Sequence, residues 1–261
     1  MSDCPVKTTR NGAIFEVLLD RPKANAIDAA TSRLMGRAFA EFRDDAALRV
    51  AIVSGSGEKF FCAGWDLVAA AAGESAQADY GVGGFGGLQE LPDLNKPVIA
   101  AVNGLAVGGG FELALAADLI VAADHARFAL PEINAGTLAD AATVRLPKRI
   151  PYHVAMELLL LGRWMDVWEA YNRGIVNEVV VAADLMARAR SIATVLANGP
   201  PLVFAAIKEV ARESEVLSFR DAMEHIRQRR WPAVASLYAS DDQQEGARAF
   251  AAKRAPVWRG R

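Results

Sequence analysis

Cysteine and histidine are scarce in this chain, two of the first and three of the second among 261 residues. Cys4 and Cys62 stand far apart and fit no metal-ligand spacing, and His125, His153 and His225 supply no cluster either. A zinc site and a disulfide framework are both disfavoured, and unpaired thiols suit a reducing cytoplasm. An excess of charge of one sign is missing too. Lys and Arg number 29 against 31 Asp and Glu, a net charge of −2 that offers no broad basic field to a nucleic acid. No uncharged apolar run approaches the ~18 residues of a membrane span. The opening MSDCPVKTTRNG lacks the apolar centre of a signal peptide. The expectation is a cytoplasmic protein with no metal, no nucleic-acid partner and no membrane segment.

Apolar residues are plentiful, 52% of the chain, enough for a large buried core. The length suits one α/β core with an appended element. Residues 13–20 (AIFEVLLD), 49–55 (RVAIVSG), 97–104 (PVIAAVNG), 118–124 (DLIVAAD) and 175–180 (IVNEVV) are Val- and Ile-rich runs that end near Gly, Asn or Asp, as buried strands do. Leu34, Met35, Ala38, Phe39 and Phe42 recur at helical spacing between the first two. This order predicts parallel β/α units. Beyond residue 180 the patterns are helical, with Pro200 and Pro201 dividing two helices and Ser240 with Gln243 set as a capping box for the last. An α/β core over residues 1–198 and a helical oligomerisation region over 199–261 follow.

The stretch GVGGFG (81–86) matches G-x-G-x-x-G letter for letter. That fingerprint binds a dinucleotide only between a strand and a helix, and the preceding AAGESAQADY is no strand. A mobile loop over a site is the expectation for these glycines.

A different glycine run is more informative. Val102–Glu132 reads VNGLAVGGGFELALAADLIVAADHARFALPE, in which a strand passes through Gly108, Gly109 and Gly110 into a helix. Such a junction either permits tight helix-on-sheet packing or lets a ligand approach unpaired N–H groups at the positive end of the helix dipole. A carboxylate in a first helical turn often just complements that dipole at the surface. Around Glu112, however, Phe111, Leu113, Ala114, Leu115, Ala116 and Ala117 leave almost no polar face, so helix and carboxylate are expected to be buried together. Burial costs an ionised carboxylate several kcal/mol and raises its pKa, which suits a general acid or base near neutrality. Glu132 follows RFALP, where Pro131 ends extended structure, and is expected at a strand's end facing the same pocket. Two carboxylates beside a helix N-terminus suit proton transfer next to a carbonyl whose oxygen becomes negative.

FCAGWDL (61–67), then NGLAVGGGFELALAAD (103–118) and FALPE (128–132), resemble the enoyl-CoA hydratase/isomerase, or crotonase, superfamily. DRPKANAID (20–28) and FAAKRAPVWRGR (250–261) extend the resemblance over nearly the whole chain; A-G-x-D together with G-G-G-x-E-L is its specific part. Within the superfamily, DRPKANAID, EKFFCAGWDL (58–67) and PVWRGR are most similar to members that act on crotonobetainyl-CoA. The resemblance implies repeated ββα units, a homotrimer or hexamer, and an acyl-CoA thioester as substrate with no separate cofactor. It puts the Trp65 and Gly109 N–H groups in an oxyanion hole and makes Glu112 and Glu132 the catalytic carboxylates. It places Lys23, Ala24, Ala63, Asp66 and Leu67 along the CoA moiety, and Lys253 near CoA phosphates, unless Lys253 is simply a solvated helix-end lysine. Hydration or dehydration of a short enoyl-CoA is the activity implied. Double-bond isomerisation, or CoA-ester binding without catalysis, are the alternatives.

The chain departs from the family after Glu132. NAGTLADAATVRLP (134–147) keeps Gly136 and Arg145, but Ala139 stands at a proline position, alanines replace paired glycines and one residue is missing. A displaced turn and an altered acyl pocket are expected there. If the acyl group carries a trimethylammonium, Trp65, Tyr80 and Phe85 are the aromatic faces available to it.

Overall fold

The first elements form a hairpin only half visible in the sequence. β1 (Val6–Asn11) pairs antiparallel with β2 (Ile14–Leu19), Asn11 opposite Ile14. Five of the six β1 residues are exposed, so the strand carries no apolar signal. α1 (Ala29–Asp44) follows, started by the Asp28 carboxylate accepting the Thr31 N–H at 2.7 Å. Its buried Phe42 stacks on Phe15 of β2 with ring centroids 6.1 Å apart.

In this computed structural model, which describes residues 4–261, a strand-strand-helix pattern then repeats. β3 (Val50–Gly55), β4 (Phe60–Cys62) and α2 (Leu67–Ala71) are followed by β5 (Val98–Val102), β6 (Leu105–Val107) and α3 (Gly109–Ala116). Next come β7 (Leu119–Ala123), β8 (Arg127–Ala129) and α4 (Glu132–Ala135), then α5 (Asp140–Arg149), α6 (Tyr152–Leu161), β9 (Met165–Asp166), α7 (Val167–Asn172) and β10 (Glu178–Val180). The first strand of each repeat enters a six-stranded sheet in the order β1-β2-β3-β5-β7-β10, and the second enters a four-stranded sheet in the order β4-β6-β8-β9. Neighbours are parallel except β1 with β2 and β8 with β9. β3 and β5 are buried at every position, which is why they read as unbroken apolar runs. The strand expected over 175–180 starts only at Glu178. Asn177 ahead of it is spent on the edge of β7, its N–H bonding the Ile120 carbonyl at 2.9 Å and its Oδ1 accepting the Ile120 N–H at 2.7 Å.

Residues 81–86, expected as a mobile loop, are instead packed with Gly87 on α1. The Gly86 N–H donates to Ser32 Oγ at 3.1 Å. Gly87, at φ +72°, lies so near the Met35–Gly36 backbone that a Cβ would strike it. Glycine serves close approach here, not freedom of motion.

The repeats belong to a compact unit made of the chain through Pro92 and Val98–Ala193; Asp93–Pro97 and Thr194–Arg261 make up a second. α8 (Leu185–Ala197) carries the chain from one to the other. The second unit contains α9 (Pro201–Glu213), with Pro201 in its first turn, α10 (Phe219–Arg227), α11 (Pro232–Ala239) and α12 (Asp242–Ala251). Ala206, Ala222, Trp231 and Val234 form its core. Buried Glu209 accepts the Ala233 N–H at the start of α11 at 2.7 Å. Ser240 Oγ accepts the Gln243 N–H at 3.2 Å, but the Ser240 N–H donates to the Leu237 carbonyl at 3.2 Å, so only half of the capping box read from the sequence forms. No single described helix is long and apolar enough to cross a membrane.

Gly87→Ala tests the packed glycine segment. It combines a positive φ with a backbone clash and is expected to lower stability by more than ~2 kcal/mol. Gly12→Ala, at φ +58° with open space around it, is expected to cost about 1 kcal/mol. Denaturant titration of both proteins gives the comparison, and equal losses would contradict the packing.

Candidate active site

A cavity of about 930 Å³ opens in the first unit where the start of α3 meets residues 63–67 and the α4–α5 segment. Two backbone turns touch at its base. Gly64, at φ +83°, lies so close to the neighbouring turn that a Cβ would stand 2.7 Å from the Val107 carbonyl and 2.9 Å from the Gly109 nitrogen. Gly64 O accepts the Ile27 N–H at 2.7 Å, and the Asp66 N–H donates to Ile27 O at 2.9 Å. Those bonds flank Trp65, and strand geometry turns its own N–H to the opposite side. Gly109 opens α3, and its N–H has no acceptor within the helix. Gly64 thus brings the turn that carries Trp65 up to the positive end of α3, an arrangement able to hold a developing oxyanion.

Both expected carboxylates reach this cavity. Glu112 is 7% exposed and its Oε1 accepts the Ala142 N–H at 2.8 Å. Burial pushes its pKa up; the Ala142 N–H, the Gln89 side chain and the Ala141 N–H pull the other way, while the charge of Asp140 adds to the rise. Glu132 stands differently from the expectation. β8 ends at Ala129, and Glu132 is the first residue of α4, not the end of a strand. Its carboxylate rests on Gly108, where a Cβ would lie 2.6 Å from Oε1, and Oε2 is buried without a hydrogen-bond partner. Burial raises its pKa to about 7, helped by the charges of Glu112 and Asp140 and opposed by its own N–H.

The departing segment takes a course that needs no extra glycine. Gly136 alone adopts a left-handed conformation there, φ 69°, to end α4. Ala139 precedes α5, and Ala141 and Ala142 make its first turn, so alanine, a good helix former, replaces glycine at no steric cost. The N–H groups of that turn are the ones that meet Glu112.

Of the other expected residues, Ala63 and Leu67 line the cavity. Ala24 lies beside it in the backbone, its carbonyl accepting the Ala63 N–H at 3.0 Å, and Lys23 is exposed in the same loop. The Asp66 carboxylate is occupied, capping α2 through the Val68 N–H at 2.9 Å and pairing with Arg21 at 2.7 Å. Lys253 is exposed in the second unit and is not among the lining residues. Trp65, Tyr80 and Phe85 all line the cavity; the Trp65 indole N–H donates to Glu74 Oε1 at 2.9 Å.

Several supporting residues escaped sequence reading. Arg21 joins Asp28 and Asp66, at 2.9 and 2.7 Å, and so ties the 20–28 loop to the Trp65 turn. Buried Asn25 donates to the Ser56 and Phe60 carbonyls, both at 3.0 Å. Arg145, read as retained but given no role, donates to the Gln89 backbone carbonyl at 2.8 Å and to its side-chain oxygen at 3.2 Å, orienting the amide beside Glu112. Asp28, whose spacing to Thr31 announces a helix cap, was the one visible clue to the first of these.

Comparison with known proteins agrees with this geometry. Residues 9–261 match the family model described as enoyl-CoA hydratase/isomerase. The chain is 56% identical over 254 residues to a carnitinyl-CoA dehydratase of Salmonella typhi and 54% identical over 254 residues to one of Proteus mirabilis (strain HI4320), covering 97% of each chain in both cases. The crystal structure of enoyl-CoA hydratase from Mycobacterium tuberculosis H37Rv superposes with a TM-score of 0.90 at 38% identity, covering 99% of this chain and 100% of that one. With its repeated strand-strand-helix units and with Glu112 and Glu132 in one cavity at the start of α3, the chain belongs to the enoyl-CoA hydratase/isomerase family.

Proposed function

We propose that this protein adds water across, or removes it from, the Cα–Cβ bond of a short acyl-CoA thioester, with crotonobetainyl-CoA and carnitinyl-CoA as the pair it interconverts. One observation carries the reading: buried Glu112 and half-buried Glu132, in different environments, line a single cavity with Trp65 and Gly109. The names of the relatives support the carnitine assignment.

The thioester oxygen sits between the Trp65 and Gly109 N–H groups, which stabilise the enolate that forms when water attacks Cβ; one such donor typically contributes on the order of 3 kcal/mol. Glu112, held by N–H donors that favour its ionised form, takes a proton from the attacking water. Glu132, with its pKa near 7, gives its proton to Cα. The enolate electrons form the new Cα–H bond with the Glu132 proton, so Glu132 ends ionised and Glu112 ends carrying the proton taken from water. Dehydration runs the same steps backwards. CoA enters as part of the substrate, and the scheme draws on no resident cofactor.

Residues 23–24 and 63–67 follow the CoA moiety, chiefly through backbone atoms, since the Asp66 carboxylate is engaged elsewhere. Lys253 reaches CoA phosphates from an adjacent subunit of a homotrimer or hexamer. Assembly is supported by apolar side chains open to solvent in the single chain, Phe250 at 87% and Leu138 at 65% exposure. The free thiols Cys4 and Cys62 support a cytoplasmic location.

Following the enoyl-thioester absorbance with crotonyl-CoA and crotonobetainyl-CoA tests the reading directly. Glu112→Gln and Glu132→Gln are each expected to lower kcat by about 10²–10⁴-fold while CoA-ester binding persists; near-wild-type turnover in both would overturn it. The pair must carry one proton in either direction, so hydration and dehydration should share one kcat/KM profile that falls on the alkaline side through about pH 7 as Glu132 ionises. A flat profile between pH 6 and 9 would contradict the assigned roles. Sedimentation at micromolar concentration is expected to show three or six chains, and a stable monomer would refute the assembly.

A further inference from the structure

The cavity holds more negative charge than water addition requires. Besides Glu112 and Glu132 it is lined by Glu90, on the chain leading to β5, and by Asp140, the first residue of the ten-residue α5. Asp140 is exposed to the cavity mouth and makes no hydrogen bond or ion pair with any described residue. Arg145 is the single cation among the lining residues, and it is turned to Gln89, at 2.8 Å to the backbone carbonyl and 3.2 Å to the side chain. The charge of Asp140 is felt by Glu112, Glu132 and Tyr80 alike, which places it among the three.

Asp140 repels the charges of Glu112 and Glu132, and a neutral acyl chain offers nothing in return. A fixed cation does. A quaternary ammonium cannot donate hydrogen bonds, so it is held by an aromatic face together with a nearby negative charge. The aromatic wall is present and graded in depth. The Phe85 ring abuts Gly109 so closely that a Cβ there would strike it, and Tyr80 meets Phe85 edge-on at 5.4 Å, with its hydroxyl donating to the Ser75 carbonyl at 3.2 Å. Phe85 therefore packs against the start of α3, whereas Tyr80, further along the same wall, is the ring that feels the charge of Asp140. We propose that Asp140 and the ring of Tyr80 form the substrate-selecting pair of this site, holding a quaternary ammonium at the far end of the acyl group. This rests on the hydratase reading for the position of the thioester. An Asp in a first helical turn also complements the helix dipole, but that role is indifferent to the charge of the acyl group.

Two saturated, unreactive thioesters separate these roles: butyryl-CoA and 4-trimethylammoniobutyryl-CoA, titrated calorimetrically into the wild-type protein and its variants. The wild type should prefer the cationic ester. Asp140→Asn should lower that preference about tenfold and Tyr80→Leu several-fold, as expected for loss of a charge or a ring at a partly desolvated site. Asp140→Glu, which restores the charge, should recover most of it. A wild type with no preference, or an Asp140→Asn protein whose preference is unchanged because both esters weaken equally, would overturn the proposal. If the wild type prefers the cationic ester yet converts neither crotonyl-CoA nor crotonobetainyl-CoA, the hydratase reading falls and the ammonium site stands.

Discussion

The site depends on how closely three backbone segments approach one another. Gly64 meets Val107 and Gly109, and Glu132 lies on Gly108, at separations where a single added carbon would collide with backbone or carboxylate. Close approach puts two amide N–H groups and a carboxylate within reach of one small acyl group, and side chains on ordinary backbones could not be gathered so tightly. Everything else in the first unit serves that approach. The repeating strand pairs deliver β4, β6 and β8 side by side, so the turns that follow them fall at one edge of the small sheet. Arg21 and Asn25 lock the loop that backs the Trp65 turn.

Burial sets the chemistry of the two carboxylates, and their surroundings set them apart. Glu112 meets the opening N–H groups of α5, so the cost of hiding its charge is offset by hydrogen bonds and by the positive end of a helix. Glu132 has a buried oxygen with no partner, and a neutral carboxyl suits it better. One group is thereby biased to accept a proton and the other to hold one, the division of labour that moving water on and off a double bond requires. The alanines of the α5 turn belong to this mechanism. They shape the helix start whose N–H groups temper the rise that burial gives the Glu112 pKa.

The sequence alone settled a good deal. The central strands were legible because β3 and β5 are buried at every position and β7 at all but its first, and a strand so buried reads as a nearly unbroken apolar run. The burial of Glu112 was legible because α3 has no polar face to turn to water. The three-residue strands β4, β6 and β8 were not, since each is too short to display a period. Tertiary structure alone decided that Glu132, twenty residues beyond Glu112, rests on Gly108, that the Ala142 N–H caps Glu112, and that Asp140 and Tyr80, sixty residues apart, line one cavity. It also turned glycines 81–87 from a loop free to move into one pressed against α1. The reason is the same in every case: periodicity and composition report which face of an element is buried, whereas the meeting of two distant residues depends on where whole elements cross, and that is set only when the sheets and helices pack together.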